Sequence, residues 1–178
     1  MLNSKNFRTN FILYMDLRKL SKIRIVISDV DGVLTDGGLY YNDTGMAFKK
    51  FNVKDGMGVV RLKKEGFITG IISTDNSEII KTRAKKLKMD FAVTGTWEKA
   101  AEMEKLCKNY GCTTENVAFI GDDVNDLEIV QKVGFSAAPA DAIDEILNLV
   151  DYKCKRKGGD AAFREFAELI ISNKNESL

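Results

Sequence analysis

Asp29-Val30-Asp31-Gly32 places two carboxylates two residues apart, directly after the apolar run Ile23-Arg24-Ile25-Val26-Ile27-Ser28. The run is short, β-branched and nearly unbroken, as a strand buried on both faces should be. Buried carboxylates are costly unless a cation or hydrogen bonds compensate them, so a strand that ends in Asp-x-Asp-Gly points to a site. Side chains alternate along a strand, which aims Asp29 and Asp31 the same way. Two converging oxygen ligands suit Mg2+, and one carboxylate could also attack an electrophile. The competing reading of these four residues is a plain turn with Asp-Gly at its corner.

Three further groups of polar residues stand at comparable places. Ser73-Thr74-Asp75 follows the apolar stretch 67–72, and Lys99 opens a helical segment after the stretch 90–93. Gly121-Asp122-Asp123-Val124-Asn125-Asp126 follows Val117-Ala118-Phe119-Ile120. Each has a bland alternative taken singly. Ser73 could cap a helix, Lys99 could be a solvated helix residue, and 121–123 could be a loop with Asn125 as the cap of the next helix. Taken together they put carboxylates, a hydroxyl and an ammonium at the ends of successive strands. In open α/β sheets that is the edge where ligands bind.

The elements that must position these groups follow from periodicity. Strands are expected at 23–29, 67–72, 90–93, 117–120 and 135–138. Helices are expected at 55–65, 77–88, 98–110, 125–132, 141–149 and 161–172, from apolar residues recurring on one face. Strands alternating with helices predict an α/β fold, a doubly wound parallel sheet with right-handed crossovers. Residues 36–53 break that rhythm. Leu39-Tyr40-Tyr41, Asn42-Asp43-Thr44-Gly45 and Met46-Ala47-Phe48 read as a β-hairpin, placed to act as a flap over the first carboxylates.

Composition limits the chemistry. The chain has 178 residues, enough for one domain with a real core, and its 27 basic and 26 acidic side chains leave a formal charge of +1. That balance gives no reason to expect nucleic acid or a membrane surface as partner. With no histidine, Ser-His and Cys-His nucleophile pairs, imidazole bases and histidine-ligated zinc are excluded. Cys107, Cys112 and Cys154 form no CxxC pair, which fits a reducing cytoplasm. Phe11-Ile12-Leu13-Tyr14-Met15 is too short to span a bilayer and lacks a cleavage site after it. Residues 1–22 are expected to be a leader, disordered or helical, ahead of a single domain at 23–172 and a tail at 173–178.

The ordered set Asp-x-Asp-Gly, Ser, Lys, Gly-Asp-Asp-x-x-Asp resembles the haloacid dehalogenase superfamily of phosphohydrolases, over residues 23–172. It is most similar to the small capless subfamily that includes 3-deoxy-D-manno-octulosonate 8-phosphate phosphatases and their nine-carbon, nonulosonate 9-phosphate relatives. The finer match rests on 29–37, on Lys50-Phe51-Asn52-Val53-Lys54-Asp55-Gly56-Met57-Gly58, on 121–126 and on Gly158-Gly159-Asp160-Ala161-Ala162-Phe163-Arg164-Glu165. The resemblance implies a Rossmann-like phosphatase that uses Mg2+ on a phosphorylated sugar acid, in cell-surface sugar biosynthesis. It implies metal ligation by Asp29, the backbone carbonyl of Asp31 and Asp122, with Asp126 supporting the metal from behind or through water. Asp29 would be the nucleophile that becomes an aspartyl-phosphate, Asp31 the acid and base, Ser73 a phosphate-binding hydroxyl and Lys99 the charge-neutralising ammonium. A non-catalytic homologue or a phospho-acceptor domain is the alternative, and Asp31 speaks against it, since a simple acceptor needs no second carboxylate there.

Length adds an inference of its own. Asp31 to Ser73 spans 42 positions and Ser73 to Lys99 spans 26, all filled by expected elements. No cap domain fits, so a neighbouring subunit is expected to enclose the substrate, and relatives of this subfamily are tetramers. The shared segment would be 153–165. There Lys153, Lys155, Arg156 and Lys157 form a solvated basic edge or a cationic contact, Gly159 allows close backbone approach and Arg164 makes a bidentate contact. Thr74, Asp75 and Lys157 complete the expected substrate contacts. Asp75 stands where eight-carbon enzymes carry Arg, as does Asp160, and both lean towards the nine-carbon substrate. Thr74 fits neither branch. Ser73 and Glu98 replace the usual Thr and Asp conservatively.

Overall fold

A computed structural model describes residues 17–175. Strands β1 (Ile25–Ser28), β4 (Ile68–Ser73), β5 (Phe91–Thr94), β6 (Val117–Ile120), β7 (Phe135–Ala138) and β8 (Tyr152–Lys153) form one sheet in the order β5-β4-β1-β6-β7-β8. Every pairing in it is parallel. Among the described residues six α-helices accompany it: α1 (Val53–Lys64), α2 (Glu78–Lys86), α3 (Lys99–Asn109), α4 (Leu127–Lys132), α5 (Asp144–Leu147) and α6 (Ala162–Asn175). The chain builds outward from β1 in one direction, then returns to β1's other side with β6. The switch point of the sheet therefore lies at the carboxyl end of β1, flanked by β4 and β6. This is the α/β architecture expected, and among the described residues no cap domain interrupts it.

Burial explains the near-continuous apolar strands. All four residues of β1 and all four of β6 are buried. Val26, Ala118 and Ile120 face one core with Val59, Leu62, Ile80, Phe163 and Phe166. Ile25, Ile27, Val117 and Phe119 face the other with Met103, Cys107, Ile129 and Ile146. A sheet covered on both faces needs apolar residues at both phases of its alternation.

β2 (Tyr40–Asn42) and β3 (Gly45–Phe48) pair antiparallel as the expected hairpin, apart from the main sheet. Tyr40 and Phe48 stack across it with centroids 4.5 Å apart. Leu39 and Tyr41 are exposed, and Met46 is half-buried.

Several boundaries differ from the sequence expectation. β8 was not expected; it is two residues long and too short to show a period. The segment 125–132 begins as a 3-10 turn, Val124–Asp126, before α4. The segment 141–149 shortens to α5, and α6 runs to Asn175, beyond the expected end at 172. At the other end, the part of the expected leader that is described is helical. Leu17–Lys22 is a 3-10 turn whose Leu20 is buried in the core with Ile23. The apolar cluster 11–15 lies outside the described residues. Among the described residues no helix is long and apolar enough to cross a membrane.

Candidate active site

The parallel register sets the ends of three strands level. Ser28 pairs with Ile71 on one side and Ile120 on the other, and Asp29 N donates to Ile120 O at 3.0 Å. The next residues of each strand therefore open onto one place. A cavity of about 200 Å3 there is lined by Asp29, Asp31, Gly32, Gly37, Ser73, Thr74, Asp122, Asp123 and Asn125. Residues from three separate stretches meet as the strand-end reading expects.

Lys99 lies behind this cavity, with its side chain 1% exposed, at the first turn of α3. Its Nζ is 3.0 Å from Asp29 Oδ2 and 2.6 Å from Asp126 Oδ1. The other Asp126 oxygen accepts from Asp122 N at 2.9 Å. Burial alone would lower the Lys99 ammonium's pKa, but the charges of Asp29 and Asp126 more than offset it and the pKa is raised. The solvated-helix reading of Lys99 is thus ruled out by its burial.

Asp29, Asp122 and Asp126 can bring one oxygen each within 4.8 Å of one another. Three carboxylates around one ammonium leave the cluster with excess negative charge. Burial and then Asp126 push Asp29 up to about 7, with Lys99 pulling the other way. Burial, Asp29 and Asp126 push Asp122 up to about 8. Asp122 Oδ1 is buried with no hydrogen-bond partner. A hard divalent cation supplies both the missing charge and the missing partner. Asp29 and Asp122 have oxygens to give it. Asp126 has both of its oxygens committed to Lys99 and the Asp122 amide, which suits support from behind rather than direct ligation.

Gly32 fits this geometry through both its backbone and its missing side chain. Its φ is +78°, and a Cβ there would fall 1.9 Å from Asp122 Oδ2. Thr35 Oγ1 donates to Asp31 Oδ1 at 3.1 Å and receives the Gly32 and Gly37 amides at 3.4 and 3.3 Å. Ser73 is buried at the end of β4, and its Oγ accepts from Asp75 N at 3.2 Å. The residue at the N-cap position of α2 is Ser77, so Ser73 is not that helix's cap. Asp123, not Asn125, caps the 3-10 turn after β6, by accepting from Val124 N at 2.7 Å. Glu98 takes the N-cap position of α3 without a side-chain hydrogen bond.

The residues expected at the substrate divide into two places. Ser73 and Thr74 line the cavity. Asp75 faces Lys49 at 2.9 Å and accepts from Ser77 N and Oγ, so it is engaged within the chain. Lys157 and Arg164 instead line a separate open depression of about 1010 Å3 with Lys54, Lys155 and Arg156. Arg164 Nε is 2.7 Å from Glu168. Glu165 receives Tyr152 Oη and the amides of Lys155 and Arg156, which fixes the course of this basic segment. The close approach expected at Gly158-Gly159 is present, and it is made to the chain's own backbone. A Cβ at Gly158 would fall 1.9 Å from Gly32 O, and Gly159 N donates to Val33 O at 3.0 Å.

Lys49 carries no role in the sequence reading. Its Nζ lies 2.7 Å from each Asp31 oxygen. No alternation announces it, since Ala47 and Phe48 before it are both exposed while Lys49 is buried.

Known proteins resemble this chain along most of its length. The model of the haloacid dehalogenase-like hydrolase family matches residues 61–164. The 3-deoxy-D-manno-octulosonate 8-phosphate phosphatase of Haemophilus influenzae is 39% identical over 160 residues, 90% of this chain and 89% of that protein. The phosphatase of the same name from Yersinia pestis is 35% identical over 155 residues, 87% of this chain and 83% of that one. The solved cobalt-bound structure of the Haemophilus influenzae phosphatase has a TM-score of 0.86, covering 89% of this chain and 93% of that one. A Moraxella catarrhalis phosphatase of the same name, solved with magnesium, phosphate and a KDO molecule, is 34% identical with a TM-score of 0.87. It covers 90% of this chain and 92% of that one.

Proposed function

The chain belongs to the haloacid dehalogenase-like hydrolase family and is a phosphoric monoester hydrolase, and we propose that its substrate is 3-deoxy-D-manno-octulosonate 8-phosphate. The single observation that carries the reaction is Asp29, held by Lys99 at 3.0 Å at the mouth of β1 beside Asp122, whose buried Oδ1 has no partner among the described residues. The eight-carbon substrate is supported by relatives named for it that match along most of their length, one of them solved with magnesium, phosphate and the sugar acid.

Asp29 and Asp122, with the Asp31 carbonyl, would hold Mg2+, which when bound neutralises the phosphate dianion that would otherwise repel an anionic nucleophile. An Asp29 oxygen attacks phosphorus, the bond from phosphorus to the sugar oxygen breaks, and an aspartyl-phosphate forms. Asp31 gives its proton to the departing alkoxide. It then takes a proton from the water that attacks the same phosphorus, and inorganic phosphate leaves with Asp29 restored. Ser73 and neighbouring backbone N–H groups hold phosphate oxygens. Lys99 balances charge on Asp29 through both steps.

The acidic residues at 75 and 160 favour the nine-carbon, nonulosonate 9-phosphate, as the second reading. Asp75 is spoken for by Lys49 and Ser77, while Asp160 is exposed at the basic depression. In the proposed assembly, a homotetramer acting in the cytoplasm, the segment 153–165 closes a neighbouring subunit's site. That placement accounts for Lys157 and Arg164 standing outside the cavity of their own chain. Phosphate release with Mg2+ is the deciding assay. A higher kcat/KM for the eight-carbon phosphate supports the proposal, a higher value for the nine-carbon phosphate moves it to the second reading, and wild-type turnover by Asp29→Asn sinks the mechanism.

A further inference from the structure

A lysine at the base of an exposed hairpin ordinarily runs its stem along the surface and keeps its ammonium in water. Lys49 does the opposite. It follows β3 directly, yet its side chain is 1% exposed. Its ammonium meets both Asp31 oxygens at 2.7 Å and Asp75 Oδ2 at 2.9 Å, three oxygens for three protons. The two carboxylates are more open than the lysine, at 34% and 25%. Lys49 therefore lies beneath them and has no proton left for a ligand.

The three groups are not held equally. Asp75 is fixed from its own loop by Ser77 N at 2.8 Å and Ser77 Oγ at 3.0 Å. Among the described residues Asp31 has one other side-chain hydrogen bond, from Thr35 Oγ1 at 3.1 Å. Rigidity thus passes from Asp75 to Lys49 and from Lys49 to Asp31, across the loops after β4, β3 and β1. Without Lys49 two carboxylates would face each other with no intervening cation, and the less tethered one would swing away.

We propose that Lys49 is a positioning residue for Asp31: anchored by Asp75, it holds that side chain at the cavity wall, where the protonated acid gives its proton to the leaving oxygen and the resulting carboxylate takes one from the attacking water. The inference rests on the phosphatase reading and deepens it, since it says what keeps the acid and base aligned. Misplacement of a reacting group by about 1 Å costs on the order of a hundredfold in rate. Lys49→Met should therefore lower kcat by about 10- to 100-fold and leave KM within about threefold.

A double-substitution cycle tests this with p-nitrophenyl phosphate, whose good leaving group keeps slow variants measurable. Asp31→Asn should be severely impaired, and adding Lys49→Met to it should cause no further loss, because Lys49 acts through Asp31. Lys49→Arg, which keeps the cation, should retain more activity than Lys49→Met. Asp75→Asn should show a smaller loss that also vanishes in the Asp31→Asn background, and it carries the test if thermal unfolding shows that Lys49→Met is misfolded. Losses that multiply in the double variants, or wild-type kcat in Lys49→Met, overturn the role of Lys49 while leaving the phosphatase reading intact. An Asp31→Asn variant with wild-type turnover overturns both.

Discussion

Two lysines at one sheet edge each bridge a pair of carboxylates, and the two clusters differ in depth and in balance. Around Lys99, Asp29 and Asp126 are 6% and 0% exposed, and Asp122 brings a third carboxylate whose Oδ1 has no partner. Around Lys49, Asp31 and Asp75 open to solvent, and every lysine proton is matched. The deep cluster carries excess charge that water cannot reach, so it needs a cation. The shallow cluster carries excess charge that water can solvate, so it needs only to be held still. Depth thus separates the two tasks that the proposed reaction requires: charge neutralisation at phosphorus, and proton exchange with the leaving group and water.

The largest effects should come from the deep cluster. Asp29→Asn keeps the shape and the Lys99–Asp126 pair but removes the proposed nucleophile, and kcat should fall by at least about a thousandfold in phosphate-release assays. Lys99→Met should lower kcat by about 100-fold or more, because the buried carboxylates lose their counter-ion. It should also cost about 3–5 kcal/mol of stability, as when one partner of a buried pair is removed. Chemical denaturation with and without Mg2+ checks the second part. Added Mg2+ should restore part of the lost stability, since a ligand that binds only the folded state stabilises it by mass action. Lys49→Met should lose much less stability, because Asp31 and Asp75 reach water. Equal losses in the two variants would erase the distinction between the clusters.

Gly32 stands between them, next to Asp31 in the chain and against Asp122 in space. Gly32→Ala would strain a φ of +78° and press a methyl group into Asp122 Oδ2. The backbone strain alone costs about 1–3 kcal/mol. The displaced Asp122 should also abolish the rise in melting temperature that Mg2+ gives the unaltered protein. A Gly32→Ala variant with an undiminished Mg2+ response would show that Asp122 does not depend on this approach.

The deep cluster was legible in the sequence and the shallow one was half-legible, for a physical reason. Asp29, Lys99, Asp122 and Asp126 all lie at junctions between regular elements, and the sheet's switch point converts such junctions into neighbours. Strand register does the rest, as Ser28 pairing with both Ile71 and Ile120 shows. Lys49 comes from the hairpin, which belongs to no regular crossover, and its inward turn depends on how the loop after Asp31 folds. Lys157 and Arg164 carry the right charges for a substrate acid, yet the chain's own course sets them on another surface. Charge type is readable from sequence, whereas the direction in which a connecting segment leaves the sheet depends on tertiary packing. β8 escaped notice because two residues cannot display an alternation, and the 3-10 turn before α4 because one turn differs too little from a helix start.

One more buried carboxylate sharpens the comparison because no lysine among the described residues accompanies it. Asp55 in α1 is 2% exposed and accepts the Arg164 amide at 2.9 Å and the Ala161 amide, so it caps the start of α6 from another element. Its second oxygen is buried without a partner. Burial pushes its pKa up to about 6 from 3.8, with the two amides and Arg83 pulling back only part of the way. Between about pH 4 and pH 6 the folded chain therefore holds a proton on Asp55 that the unfolded chain has lost. The stability from that proton is fully present below about pH 4 and declines as pH rises to about 6. Asp55→Asn keeps an accepting oxygen for α6 but cannot titrate. The stability advantage of the unaltered protein over the variant should shrink by on the order of 2 kcal/mol between pH 4 and pH 7. Urea unfolding of both proteins across that range measures it. A difference that stays flat with pH would mean that Asp55 does not hold its proton above the usual carboxylate range, and that burial without a lysine does not set it apart.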